Sequence, residues 1–329
     1  MKALVTGATG FIGAEIVRKL AARGDSVRAL VLPGEDRSRV ASWISEFVEG
    51  DITRPETLSG VADEADTVFH LAARVLDYGS REAFYKPIFE GTKNMLAACK
   101  GKAGRFVHAS SIAACGLGEH LKGRKEEDPV KKSGIPYNDA KADAEALVRA
   151  TQKDFARGCV IIRPSNVIGP GSVWVTEVLG QIRKNMMLFF DQGRYSASLV
   201  HVANLADAFL LAADREEASG RTYFVRDDWD ATWKRYITDI AAMAGKPAPK
   251  GSIPFKAGWI IGAALEAVCT PLGIRPPATR LAAAVMGRDN DVANARAKAE
   301  LGWKTTVGYE QAMEEIRSWL QATGRIPGH

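Results

Sequence analysis

The amino-terminal half of the chain alternates short apolar runs with segments of helical spacing, and that rhythm leaves few folds open. Residues 3–6, 27–32, 47–49, 67–71, 105–110 and 159–163 read as strands. Between them, 11–23 sets Ile12, Ile16, Val17 and Leu20 on one side of a helix, and 81–99 and 137–154 read as further helices. Strands joined through helices return parallel, by right-handed crossovers, and runs this apolar call for cover on both faces. The expectation is an α/β fold with a doubly wound parallel sheet. After Pro164 the rhythm breaks. Residues 173–184 read as a helix, 201–213 as strand then helix, 222–225 as one more strand, and from Trp229 onward the spacing is mostly helical. The expected division is a first domain over 1–170, with 200–226 returning to it, and a smaller, mostly helical lobe from 171–199 and 227–329.

Gly7, Gly10 and Gly13 follow the first strand and open the first helix. A glycine there permits the tight turn, another lets the backbone approach a pyrophosphate, and a third lets helix and strand pack closely. The helix N-terminus then offers free N–H groups and a positive dipole end to phosphates. The spacing, G-x-x-G-x-x-G, departs from the usual G-x-G-x-x-G, and its place at the head of a strand–helix–strand unit is what makes it a dinucleotide loop. No Gly-Lys-Ser/Thr follows, which excludes a P-loop. The second strand ends in Leu30, Val31 and Leu32, without the acid that would hold an adenosine ribose. Glu35 and Asp36 come late, with Arg37 and Arg39 after them, so NADP is favoured over NAD and Arg37 is the candidate partner of a 2′-phosphate.

Tyr137 and Lys141 stand four apart, on one face of a helix. A free tyrosine, with a pKa near 10, is a poor acid–base group at neutral pH, and a neighbouring ammonium lowers it. The pair is a candidate tuned proton donor. Other chemistries find less support. The four cysteines, Cys99, Cys115, Cys159 and Cys269, form no C-x-x-C pair, and the histidines lack ligand spacing, so no metal site is expected. His70 and His108 each end an apolar run, where a satisfied structural histidine is the default. The net charge is +5, and the basic stretch 122–132 is interrupted by Glu126, Glu127 and Asp128, which reads as a solvated loop with no nucleic-acid partner. A strand beginning at Lys2 leaves no room for a signal peptide, which makes a cytoplasmic location the expectation.

In order along the chain stand 6–13 (TGATGFIG), 50–52 (GDI), 70–73 (HLAA), 91–94 (GTKN), Ser110-Ser111, Tyr137 with Lys141, 163–170 (RPSNVIGP), His201-Val202 and 298–303 (KAELGW). As a set they resemble the short-chain dehydrogenase/reductase superfamily, in its extended type, over nearly the whole chain. The resemblance implies a Rossmann-type sheet with a substrate lobe, and an NAD(P)-dependent hydride transfer between an alcohol and a ketone. It implies roles as well. Tyr137 is the general acid/base, Lys141 lowers its pKa and binds the nicotinamide ribose, and Ser111 polarises the substrate oxygen, with Ser110 as the adjacent alternative. Gly7, Thr9, Gly10, Phe11 and Ile12 belong to the phosphate turn, and Asp51 and Ile52 to the adenine contacts. Leu71, Ala72, Ala73 and Asn94 fall on the cofactor wall, and Pro164, Ser165 and Asn166 near the nicotinamide.

Within that type, the stretch 257–274 (AGWIIGAALEAVCTPLGI) carries a single charge, Glu266. Together with Pro276, Pro277, Thr279 and Arg280 it resembles the 3β-hydroxysteroid dehydrogenase and dihydroflavonol reductase-like branch. That resemblance implies a small hydrophobic substrate, sterol-like or an alkylated 3-oxoacid. The apolar run itself reads as a buried or interface helix pair, or as a wall for such a substrate with a membrane-surface contact through 257–274. The wider family resemblance implies a homodimer through the helices of 81–99 and 137–154. A nucleotide-sugar epimerase/dehydratase is the enzyme alternative. A non-catalytic NAD(P)-sensing regulator is the alternative of another class.

Overall fold

The computed structural model describes residues 1–327. The first half runs β1 (Lys2–Thr6), α1 (Phe11–Ala22), β2 (Ser26–Val31), β3 (Glu46–Glu49), β4 (Thr67–His70), α2 (Arg81–Tyr85), α3 (Gly91–Cys99), β5 (Arg105–Ala109), α4 (Pro136–Ala150) and β6 (Cys159–Pro164). The second half runs β7 (Asn166–Ile168), α5 (Val173–Arg183), β8 (Phe189–Phe190), β9 (Leu199–His201), α6 (Val202–Asp214), β10 (Thr222–Val225), α7 (Trp233–Met243), β11 (Ser252–Ile253), α8 (Phe255–Cys269), α9 (Arg280–Met286) and α10 (Tyr309–Ala322). Seven strands form one sheet in the order β3-β2-β1-β4-β5-β6-β10, with every neighbouring pair parallel. The doubly wound α/β sheet anticipated from the alternation is present. The helical stretch over 81–99 is interrupted: Lys86–Glu90 is a π-helical turn holding Pro87. Proline has no N–H for the helix ladder, and the widened turn absorbs it.

Both faces of the sheet are covered. On one, Ile16, Val17 and Leu20 of α1 meet Leu205 and Phe209 of α6 over Val5 and Val107. On the other, Met95, Leu96 and Cys99 of α3 and Val148 of α4 pack over Leu4, Val68 and Phe106. A separate core joins α5, α7 and α10 through Val175, Trp233, Tyr236, Ile240, Ile316 and Leu320. Two short parallel pairs, β7 with β9 and β8 with β11, lie outside the main sheet and are too short to leave an alternating pattern.

Three polar devices tie the later chain to the sheet. The KAELGW segment clasps the β10 side: Lys298 meets Asp228 at 2.6 Å, the Tyr223 hydroxyl donates to Glu300 at 2.9 Å, and the Trp303 indole N–H donates to the Asn204 carbonyl at 2.7 Å. Glu126, in the stretch read as a solvated loop, is buried, and its carboxylate accepts the Phe224 N–H of the edge strand at 3.0 Å. Charge spacing alone does not reveal which carboxylate of a mixed loop turns inward.

The third device is Arg105, which is 0% exposed. Its guanidinium donates to the carbonyls of Ala212 (2.9 Å), Ala213 (3.1 Å) and Arg157 (3.0 Å), and also to that of Arg215. A cation here satisfies the orphan carbonyls at the end of α6 and suits the negative end of its dipole. Arg105→Leu should lower stability by about 3 kcal/mol, read as an earlier urea midpoint at unchanged slope.

Candidate active site

The chain leaves β1 toward β2 and β3, then crosses back to β4 on the other side. The crevice above the carboxyl ends of β1 and β4 is therefore the point where strand order reverses, which is where ligands bind in such sheets. Gly7 turns there with φ +70, and a Cβ on it would lie 2.9 Å from the Ala72 nitrogen. A Cβ on Gly13 would collide with the Gly7 carbonyl. Gly10 caps α1 without a side-chain bond, and the first turn holds no acid. The N–H groups above Phe11 and Ile12 thus face an open cradle shaped for a phosphate.

Leu71, Ala72 and Ala73 form the opposite rim. The Leu71 and Ala72 N–H groups donate to Thr6 Oγ1 at 3.2 and 3.1 Å. The Thr6 hydroxyl donates a hydrogen bond to His70 Nδ1 at 2.9 Å, and Nε2–H donates to Thr92 Oγ1 at 3.1 Å, because the Thr92 hydroxyl is itself spent on the Ile88 carbonyl. Burial, aided by the charge of Lys141, pushes His70 down to about 3, so it stays neutral. Its structural role was legible. His108, stacked 5.6 Å from His70, is different, because neither of its ring nitrogens has a partner.

At the adenosine end, Asp51 accepts the N–H and hydroxyl of Thr53, both at 2.8 Å, and the Asn94 amide holds the Ile52 carbonyl at 2.9 Å. Arg37 is engaged by Glu49 and lies 5.2 Å over the Phe47 ring. Sequence reading missed Glu35 as a site residue. The turn at Gly34 (φ +75) folds it back, so its carboxylate accepts the Leu32 N–H at 2.8 Å and the Thr9 hydroxyl. A late position in the count becomes a place at the end of β2, and the glycine two residues after Leu32 was the available signal.

The catalytic candidates converge from β5 and α4. Ser110 and Ser111 part ways. The Ser110 hydroxyl donates to the buried Glu145 at 2.6 Å, while Ser111 accepts the Ala113 N–H at 3.1 Å and lies beside the Tyr137 phenol. Ser111 is the hydroxyl left at the cleft. Tyr137 packs edge-on against Phe84, ring centres 5.9 Å apart. Lys141 Nζ donates to the Ala109 carbonyl at 2.7 Å. Burial pulls Lys141 down to about 8, opposed by the negative charge of Glu145. Burial raises the Tyr137 phenol, offset in part by the neighbouring Ser111 hydroxyl. The lysine is expected to lower the phenol, but the phenol is raised, with burial as the largest cause.

Beyond β6, Pro164 ends the strand, Ser165 donates its N–H to the Val225 carbonyl at 3.1 Å, and Asn166 holds the Ala197 carbonyl at 2.7 Å. The Ser165 hydroxyl is buried without a partner. Trp174, Met187, Trp259 and Met286 are partly buried against the same core that Tyr137 touches.

A family model described as the NAD dependent epimerase/dehydratase family matches residues 3–225. Over 324 residues the chain is 32% identical to a 4-hydroxy-2-methyl-3-oxo-4-farnesyl-3,4-dihydroquinoline-1-oxide ketoreductase of Stigmatella aurantiaca, covering 96% of each chain. It is 27% identical to a 2-alkyl-3-oxoalkanoate reductase of Shewanella oneidensis, over 97% of this chain and 86% of that one. The crystal structure of UDP-glucose 4-epimerase from Thermotoga maritima superposes with a TM-score of 0.78 at 20% identity, over 98% of this chain and 99% of that one, a likeness of fold alone.

Proposed function

The chain belongs to the NAD dependent epimerase/dehydratase family, within the extended short-chain dehydrogenases/reductases, and on that premise we propose that it reduces a ketone on a small hydrophobic substrate, with Tyr137 as the acid. The observation that carries this reading is the meeting of Ser111 and Tyr137 over an apolar core, one helical turn from a buried lysine. The named relatives, a ketoreductase and an oxoalkanoate reductase, support the same class.

Residues 7–12 would hold the dinucleotide's pyrophosphate, and 164–166 would face its nicotinamide. When bound, the dinucleotide supplies the hydride in reduction and takes it in oxidation. Tyr137, a phenol protonated at neutral pH and pushed further up by burial, donates to the carbonyl oxygen. Ser111 steadies the charge building on that oxygen by hydrogen bonding. The Lys141 ammonium favours the phenolate that remains. On this reading Trp174, Met187, Trp259 and Met286, partly buried against the core under Tyr137, would exclude water and suit an apolar substrate. The lobe of 171–199 and 227–329 would supply that side of the cleft. On the same reading, the helices of 81–99 and 136–150 pair in a homodimer. The exposed Ile260, Ile261, Val268, Leu272 and Ile274 of the segment around α8 rest on a membrane surface. Among the described residues no helix is long and apolar enough to cross a membrane.

For the coenzyme, Glu35 at the end of β2 favours ribose hydroxyls and repels a 2′-phosphate, while Arg37 is already engaged by Glu49. We therefore favour NAD over NADP, against the lean of the bare sequence. Titration of the purified protein should give the lower Kd for NADH, and Glu35→Gln should narrow the gap to NADPH.

Tyr137→Phe should leave coenzyme affinity within about twofold while lowering turnover by roughly 10²–10⁴-fold. Activity on UDP- or dTDP-sugars with none on lipophilic ketones would defeat the substrate assignment. A lysine pulled down from 10.5 to about 8 is charged below that pH and neutral above it. Initial rates of reduction should accordingly fall as pH rises through about 8. Glu145→Gln removes the anion that holds Lys141 up, so the fall should begin at lower pH.

A further inference from the structure

Arg74 follows the Leu71–Ala73 rim directly, at the carboxyl end of β4. Its guanidinium lies 5.7 Å over the Phe84 ring, and that ring stands 5.9 Å from Tyr137. The arginine is half-buried and its Nε is shut off from solvent without a partner. Among the described residues it makes no hydrogen bond and no ion pair. Asp77, the carboxylate nearest to it in the chain, is occupied by Arg275 at 3.5 Å and by the Thr279 hydroxyl at 3.3 Å.

The two terminal nitrogens of this guanidinium stay open to solvent, and no anion of the described residues meets them. Its planar fork matches a carboxylate in two parallel hydrogen bonds. The dinucleotide's phosphates already have the open N-terminus of α1, so the free cation beside the phenol falls to the substrate. A single ring, Phe84, separates that cation from Tyr137. A β-oxo acid carries its carboxylate two carbons from the reacting carbonyl and so reaches from one group toward the other.

We propose that Arg74 binds the carboxylate of a substrate that bears an acid β to the reacting carbonyl or alcohol. This rests on the oxidoreductase reading and narrows it to a charged head on an apolar body. The hydride and proton transfers are unchanged, and the arginine selects and orients.

The test compares a 2-alkyl-3-hydroxyalkanoic acid with its methyl ester, as oxidised by wild type, Arg74→Met and Arg74→Lys with the preferred oxidised coenzyme. Wild type should prefer the acid. Arg74→Met should lower kcat/KM for the acid by about 10–100-fold, mainly through KM, leave the ester within about twofold, and leave coenzyme Kd unchanged. Arg74→Lys should recover part of the loss. Equal losses on acid and ester, no loss on either, or a raised coenzyme Kd would each overturn the assignment. Calorimetric binding of the acid to each protein–coenzyme complex is read alongside. If wild type turns over neither compound yet binds the acid at least tenfold tighter than Arg74→Met does, the activity reading fails and the arginine's role stands. Acid bound equally by both proteins overturns it.

Discussion

Glu145 and Arg163 form the buried contact on which the site depends. The carboxylate is 1% exposed and receives Arg163 through two bonds, at 2.8 and 2.7 Å, and Ser110 through a third at 2.6 Å. Its own value stays low despite burial, held there by the guanidinium and the hydroxyl. A buried ion pair contributes little net stability, because desolvation offsets the attraction, yet losing one partner is expensive. Its effect is positional. One side chain of α4 is fixed to β5 through Ser110 and to β6 through Arg163. Tyr137 and Lys141, two turns and one turn earlier on that helix, can then meet the end of β5 in only one register. The phenol comes to lie beside Ser111, and the ammonium donates to the Ala109 carbonyl.

The same contact explains why the site could be read only in part from the sequence. Period and punctuation disclose local structure, so the strand–helix alternation, the glycine turn and the four-residue interval from Tyr137 to Lys141 were legible. What those residues touch across the sheet was not. Ser110 and Ser111 are neighbours with one chemistry, and only the buried carboxylate beneath them separates an anchor from a free hydroxyl. Glu35 looked late because counting is linear, while the turn at Gly34 is not. The lysine was expected to set the phenol's acidity, but that rule assumes comparable solvation, and burial has the larger effect on both groups. Arg74 carries no sequence signal. Its isolation is a fact about its neighbours.

The crevice also divides its work between backbone and side chain. At β1 the requirement is for the absence of atoms, since Gly7 and Gly13 have no room for a Cβ. At β4 a closed relay of hydroxyls and imidazole, from Thr6 through His70 to Thr92, holds the rim without any charge. At β5 and α4 charge is admitted, and each charged group there has an assigned neighbour.

Glu126 has a consequence of another kind. Its carboxylate occupies the outward N–H of Phe224 on β10, the last strand on that side. An uncovered border of this sort is a template on which a foreign strand can dock. With the donor filled by its own chain and the clasp of 298–303 laid alongside, the sheet ends there. Copies of the protein can crowd together without zipping edge to edge at that margin.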